Sequence, residues 1–149
     1  STNKILWIGD ENIMNQHDID IIDDHTISIF NNNVLNTVNG AMVDGNNEVV
    51  IYDFNKKEYR KYLDESMKEN DIRTVTGGRS QILSNGDLYI EETNSGRALY
   101  IDKMGDLKWE FINRADDGNI YLLSWSRLLY EQSDLETVSR LLGKEKCIE

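Results

Sequence analysis

Three side chains that could take part in chemistry lie near the starts of segments with strand character: His17, Arg79 and Arg127. An imidazole can act as a nucleophile or bind an anion, and a guanidinium binds the oxygens of an anion through paired hydrogen bonds. Asp18 follows His17 directly, where a carboxylate can orient the imidazole ring and set its tautomer. These four residues form the predicted site, provided that the fold brings their strands together.

A purely structural interpretation competes with this one at each position. A His-Asp pair at the start of a strand commonly serves as a hydrogen-bonded link between sheets. Arg79 and Arg127 can equally pair with the surplus carboxylates of the chain, and His25 lies in a predicted turn, where we expect it to face solvent. Asp23 and Asp24 are adjacent, so on a strand they would face opposite ways and could not work as an acid–base pair.

The elements that carry these residues are predicted to be short antiparallel strands. Residues 16–30 alternate polar and apolar side chains across the Asp23-Asp24 turn, a pattern typical of a β-hairpin. Asn85-Gly86 is the strongest single hairpin signal in the chain. Further strands are predicted at residues 4–9, 48–54, 58–63, 79–83, 87–91, 97–102 and 106–112.

Matching positions recur after roughly 50 residues, which indicates a repeat. Asp53 and Asp102, for example, each stand just before a turn. Four antiparallel strands per unit at this period are typical of the blades of a β-propeller, an all-β fold. We expect residues 1–149 to form one partial propeller region: a blade end at 3–9, blades at 16–63 and 78–113, a blade fragment at 118–132 and a short C-terminal helix at 133–143.

Two segments depart from the strand pattern. Residues 31–47 are rich in Asn and Gly and are expected to form a long loop, functional or mobile. In the tail, Ser133 and Glu136 fit a capping box and Gly143 is expected to end the helix, whose apolar face should pack on the sheet. Three tryptophans recur at equivalent positions and are expected to be packing anchors rather than ligand platforms: Trp7, Trp109 and Trp125.

The composition excludes several partners. The chain has 16 Lys and Arg against 27 Asp and Glu, a net charge of −11, which opposes binding to nucleic acid or to an anionic membrane surface. It has no apolar run of the length needed for membrane insertion, and its single cysteine, Cys147, allows no intrachain disulfide. No ligand spacing typical of a metal site is present, and no metal or cofactor is expected.

The motifs resemble those of the arylsulfotransferases of the PAPS-independent type. The segments that carry the resemblance stand in the family's order over residues 3–131: NKILWIG, QHDIDIIDDHTISIFNN, EVVIYDF, GGRSQILSNGDLYI, SGRALYIDKMGDLKWEF and YLLSWSRLLY. They resemble only the C-terminal part of a six-bladed propeller.

The resemblance implies transfer of a sulfuryl group between phenols, with His17 taking the group covalently as the catalytic residue. Arg79, Arg127 and Asp18 would then bind the sulfate ester, an aryl sulfate or phenolic small molecule would be the partner, and no cofactor would be required. The resemblance also implies export to the periplasm or the cell exterior. Missing N-terminal blades or self-association through open blade edges would complete the ring.

The sequence also departs from the family pattern. With two histidines in all, the multi-histidine centre of an active sulfotransferase cannot be built from this chain alone. Gly77-Gly78-Arg79 stands where a second histidine would be expected, and residues 31–47 contain no arginine. The alternative is therefore a non-catalytic propeller-type module that binds a glycan, a peptide or an envelope partner, or that has a structural role only.

Overall fold

The chain folds into two four-stranded antiparallel sheets and a separate hairpin, as described by a computed structural model for residues 3–9 and 13–143. The strands are β1 (Gln16–Asp23), β2 (Thr26–Asn31), β3 (Val34–Thr37), β4 (Gly40–Val43), β5 (Glu48–Asp53), β6 (Glu58–Tyr62), β7 (Arg79–Ile82), β8 (Leu88–Glu92), β9 (Arg97–Ile101) and β10 (Leu107–Ile112). The helices are α1 (Asp64–Glu69) and α2 (Gln132–Leu142), with a short 3₁₀ turn at Thr93–Ser95. The mostly antiparallel β architecture predicted from the sequence is confirmed.

The two large sheets have the same plan. The first runs β1-β2-β5-β6 and the second runs β7-β8-β9-β10, so each is an up-and-down meander that begins with its first strand at one edge. Strands β1 and β7 lie against each other, which places the start of each meander at the junction of the sheets. Neither sheet closes on itself within the described parts of the chain.

The turns of the meanders follow the sequence signals. Gly86, between β7 and β8, has φ +88°, a conformation that favours glycine. Asp53 is the last residue of β5 and Asp102 directly follows β9, and each accepts backbone N–H bonds from the turn that follows. These two aspartates therefore have similar positions in the two meanders.

The hydrophobic core lies between the facing sides of the two sheets. One fully buried cluster contains Phe30 and Val49 of the first sheet together with Leu88, Ile90 and Leu99 of the second. Completely burying a side chain of this size contributes about 1.5–3 kcal/mol. The cluster fixes the position of one sheet against the other, and with it the junction of β1 and β7.

The long loop predicted at residues 31–47 is instead an ordered hairpin, β3 and β4, flanked by buried asparagines. Asn47 donates to the carbonyl of Asn32 at 2.6 Å and to that of Thr74 at 3.0 Å, and accepts from the Thr74 N–H at 2.6 Å. The prediction was wrong because asparagine amides here satisfy buried backbone groups, a role that composition does not distinguish from a solvated loop.

Two predicted strand segments are not strands. Residues 3–9 pass over the first sheet without pairing, and Trp7 packs on Tyr52 with the ring centroids 4.9 Å apart. Residues 118–132 contribute only an isolated bridge between Arg114 and Ile120. A period-two pattern shows that a segment suits a sheet, but not that a partner strand is available.

The C-terminal helix forms, but its surroundings differ from the prediction. Its N-cap is Glu131, and no side chain caps it, so the capping box of Ser133 and Glu136 is not used. No residue of α2 is buried, so its apolar face does not pack on the sheet as expected. Gly143 is the C-cap, and Cys147 lies outside the described residues. Neither described helix is long and apolar enough to cross a bilayer.

Candidate functional site

The candidate site is a small cleft at the junction of β1 and β7. His17 and Asp18 line it from β1, Arg79 from β7, and Trp125 from the segment that follows the second sheet. Its volume is about 30 Å³, which is room for a small polar group but not for an aromatic ring. The fold therefore brings three of the four predicted site residues together.

His17 enters the cleft because β1 contains a β-bulge at this point. Gln16 pairs with Asn31 and Asp18 pairs with the next residue of β2, Phe30. His17 is therefore an extra residue of β1 with no partner of its own on β2. A bulge turns a side chain out of the regular alternation of a strand and is common beside active sites. The His17 side chain is exposed, so a ligand can reach it from solvent.

Arg79 is brought to the cleft by a close passage of the chain over the core. Gly78 precedes it with φ +88°, and a Cβ at that position would lie 2.4 Å from the ring of Phe30. Gly78 thus allows a close approach of the chain to Phe30 that a residue with a side chain would block. The Arg79 residue is only 6% exposed.

The buried charges of Arg79 and Asp18 are only partly satisfied. Arg79 Nη2 lies 3.5 Å from Asp18 Oδ1, at the outer limit of a hydrogen bond. Arg79 Nε and Asp18 Oδ2 are buried without a hydrogen-bond partner among the described residues. Because unpaired buried polar atoms are costly, this pair is open to a ligand that supplies acceptors to the guanidinium.

Trp125 and Glu91 complete the cleft, and sequence reasoning missed both roles. The Arg79 guanidinium carbon lies 4.4 Å from the centre of the Trp125 ring, a cation–π contact. The Glu91 carboxylate, 1% exposed, accepts hydrogen bonds from the backbone N–H groups of Trp125 and Ser126 at 3.2 and 2.5 Å. Glu91 stands in the apolar strand pattern DLYIE, and a charged residue there was the available signal.

The hydroxyl groups around Glu91 extend this arrangement. The Ser126 hydroxyl donates to Glu91, and the Thr93 hydroxyl donates to it at 3.0 Å. The Tyr89 hydroxyl lies 2.6 Å from that of Ser126, and burial raises the pKa of the Tyr89 phenol above its ordinary value. The Glu91 charge is therefore shared among several donors and does not face the cleft as a free carboxylate.

Arg127 lies elsewhere. Its guanidinium makes a bidentate ion pair with Asp20, with contacts of 3.1 and 3.2 Å, and lines a separate groove beside Gln81 and Leu83. Asp18 and Asp20 are two residues apart on β1, and each is paired with one arginine from beyond the first sheet. Arg127 therefore does not line the His17 cleft in this structure. Its predicted role in binding the anion stays a prediction.

The other sequence candidates are separate from the cleft. His25 lies in the turn between β1 and β2, where its backbone N–H bonds to Asp23 Oδ1 at 2.8 Å. In the described parts of the chain, residues 3–9 and 13–143, no group of three or more His, Cys, Asp or Glu side chains is arranged to hold a metal ion.

Comparison with known proteins gives a family and no individual relative. The model of the family described as arylsulfotransferase (ASST) matches residues 1–114, which include β1 to β10 and therefore His17, Asp18, Arg79 and Glu91. No curated protein and no solved structure matches the chain. Trp125 and Arg127 lie beyond the matched region. On this match, the chain belongs to the arylsulfotransferase (ASST) family.

Proposed function

We propose that the His17–Arg79 cleft binds the sulfate group of an aryl sulfate ester and that His17 transfers the sulfuryl group to a phenol. The observation that carries the proposal is the buried, partly unpaired guanidinium of Arg79 beside a histidine that a β-bulge turns out of its strand. Membership of the arylsulfotransferase family supports the choice of sulfate over other anions.

Arg79 provides the fixed charge in this proposal. A guanidinium forms paired hydrogen bonds with the oxygens of a tetrahedral anion, and the attraction between the two charges is stronger where water is excluded. The Nε atom, which has no partner among the described residues, is free to donate to such an oxygen. Asp18 holds Arg79 in place through Oδ1. Its Oδ2 atom has no hydrogen-bond partner among the described residues, so Asp18 does not orient the His17 imidazole as the sequence predicted.

The proposed transfer has two balanced steps. A ring nitrogen of His17 forms a bond to sulfur with its lone pair, and the bond from sulfur to the aryl oxygen breaks, so the phenolate leaves with the electron pair. The oxygen of the acceptor phenol then bonds to sulfur as the nitrogen–sulfur bond breaks, and the proton of the acceptor passes to solvent. Arg79 would stabilise the negative charge on the sulfuryl oxygens in both steps.

Binding without transfer is the second candidate function, and a specific observation favours it. His25 lies in a turn outside the cleft, so within the described residues one imidazole alone lines the cleft. Arg127 is held by Asp20 instead of reaching the same anion. A site with one histidine and one arginine would bind an anionic group of a glycan, peptide or envelope partner without performing chemistry on it.

We further propose that the two meanders are neighbouring blades of a propeller, residues 16–63 and 78–113. Their shared strand order and the contact between their first strands support this, because first strands of blades line the axis of a propeller. Strands β6 and β10 are the outer edges. Further blades or a second copy would complete the ring, and export to the periplasm or cell exterior would follow the resemblance.

The test of the function is sulfuryl transfer from p-nitrophenyl sulfate to phenol by the full protein. The rate is measured from the absorbance of the nitrophenolate that is released. His17→Ala should reduce the rate by at least about 1,000-fold, the scale expected when a nucleophile is removed. His25→Ala is the matched control and should leave the rate unchanged. Transfer at equal rates in the His17→Ala and unaltered proteins would overturn the role of His17, and bound phenyl sulfate without turnover would leave the binding function in its place.

A further inference from the structure

Trp125 has a backbone conformation that is unusual for its residue type. Its φ is +63°, in the left-handed region that strongly favours glycine. Among the described residues with positive φ, Trp125 and Leu63 are the only large apolar ones, and the remainder are Gly, Asn, Asp or Lys. Such a conformation persists only where surrounding contacts impose it, and it is concentrated at ligand-binding sites.

The contacts that impose it come from Glu91. This buried carboxylate accepts the N–H groups of both Trp125 and Ser126, and the Ser126 hydroxyl donates to the same carboxylate. Three donors from two consecutive residues fix the direction of the chain at this point. The Glu91 side chain thereby determines where the Trp125 indole lies.

The indole has one face covered and is otherwise open to solvent. Arg79 lies over the ring, with its guanidinium carbon 4.4 Å from the ring centre. Trp125 is nevertheless 74% exposed, although it is among the largest apolar side chains in the chain. A packing anchor would be buried, so this exposure contradicts the role expected from the sequence.

The size of the cleft determines what can lie beside the ring. The volume of 30 Å³ admits a small polar group, so the remainder of an ester bound at Arg79 must lie outside the cleft. Trp125 lines that cleft and is largely exposed to solvent. Aromatic rings stack on one another in offset geometry with a gain beyond that of apolar burial alone.

We propose that Trp125 selects esters with an aromatic ring over alkyl esters at this cleft, and that Glu91 is the positioning residue that holds it there. This inference rests on the proposed sulfate-binding function. Arg79 binds the sulfate group, and the ring of the ester stacks on the exposed surface of Trp125. The preference for the ring is thus separable from the affinity for sulfate.

The test measures the affinities of phenyl sulfate, cyclohexyl sulfate and inorganic sulfate by calorimetric titration. The unaltered protein should prefer phenyl sulfate over cyclohexyl sulfate by about five- to ten-fold, the scale of a stacked aromatic pair. Trp125→Leu should remove most of that preference, whereas Trp125→Phe, which keeps an aromatic ring, should retain it. Glu91→Gln should weaken the preference in the same direction.

Trp109→Leu is the matched control, because Trp109 packs on Tyr100 with the ring centroids 5.8 Å apart and does not line the cleft. It should leave the preference intact. A Trp125→Leu protein that keeps the preference, or that loses all three ligands equally, overturns the selective role while sulfate binding stands. Failure of the unaltered protein to bind any of the three ligands overturns the proposed function and this inference together. If Glu91→Gln does not fold, the Trp125 variants decide the question.

Discussion

Arg79 is buried with part of its hydrogen-bonding capacity unused, and this is the most informative feature of any single residue. Its contact with Asp18 is long, at 3.5 Å, and each partner keeps a buried polar atom without a hydrogen bond from the described residues. A well-formed buried ion pair would satisfy both groups. The loose pair therefore leaves the Arg79 guanidinium with a donor that the proposed sulfate group would use.

Replacing Asp18 by Asn separates the two roles of the carboxylate. Without the competing charge, we expect phenyl sulfate to bind several-fold more tightly, since Arg79 no longer has an anionic partner in the protein. The free energy of unfolding without ligand should fall by about 1–3 kcal/mol, because the buried guanidinium loses a charged partner. Titration calorimetry and urea unfolding measure the two effects.

Asp20→Asn is the control for this prediction, since Asp20 occupies the same strand but pairs with Arg127 in the neighbouring groove. Its phenyl sulfate affinity should match that of the unaltered protein. Weaker binding by Asp18→Asn would show that the carboxylate supports the anion site indirectly and does not compete with the ligand.

At the scale of elements, the buried asparagines hold the first sheet to the chain that leads into β7. Asn32 donates to the carbonyls of Thr74 and Gly77, and Asn47 both donates to and accepts from Thr74. This places Gly77 and Gly78, and so Arg79, at a fixed distance from β1. The hairpin of β3 and β4 projects from this cluster, which explains why an insertion between β2 and β5 leaves the sheet intact.

Asn47→Ala should lower the free energy of unfolding by about 2–3 kcal/mol, because it leaves buried backbone groups of Asn32 and Thr74 without partners. Urea unfolding, monitored by tryptophan fluorescence, measures the change in the free energy of unfolding. Asn39→Ala, in the exposed turn of the hairpin, is the control and should change stability by less than about 0.5 kcal/mol. Equal stability of the two variants would contradict the bridging role of Asn47.

The sequence was sufficient to predict the strands of both meanders, because alternation and turn residues act locally. Asn85-Gly86 and the two aspartates Asp53 and Asp102 lie at turns, where the pattern placed them. It was not sufficient for residues 3–9, 31–47 and 118–132, whose conformation depends on partners distant in the chain. A pattern within a segment carries no information about those partners.

The site shows the same division between local and distant determinants. His17, Asp18 and Arg79 could be predicted together from their equivalent positions at the starts of β1 and β7. The bulge at His17, the pairing of Arg127 with Asp20 and the hydrogen bonds from Trp125 to Glu91 depend on contacts across 12 to 107 positions of sequence. No spacing rule in a single sequence reports such contacts.

At the scale of the molecule, the chain is an acidic, mostly antiparallel β protein of the arylsulfotransferase family with a net charge of −11. Such a charge repels an anionic ligand, so binding of a sulfate ester requires a local cationic centre. Arg79, shielded from solvent between the two sheets, provides one where two meanders meet. The contact of β1 with β7 is therefore the feature of the fold on which the proposed sulfate site depends.

The most direct test of this account is a proton NMR titration of the imidazole signals with phenyl sulfate. The chain has two histidines, so His17→Asn assigns both signals and the His25 signal serves as an internal control. The account predicts that the His17 signal shifts saturably while the His25 signal stays in place. A titration in which neither signal moves, or in which the His25 signal alone moves, would contradict the assignment of the sulfate site to the His17–Arg79 cleft.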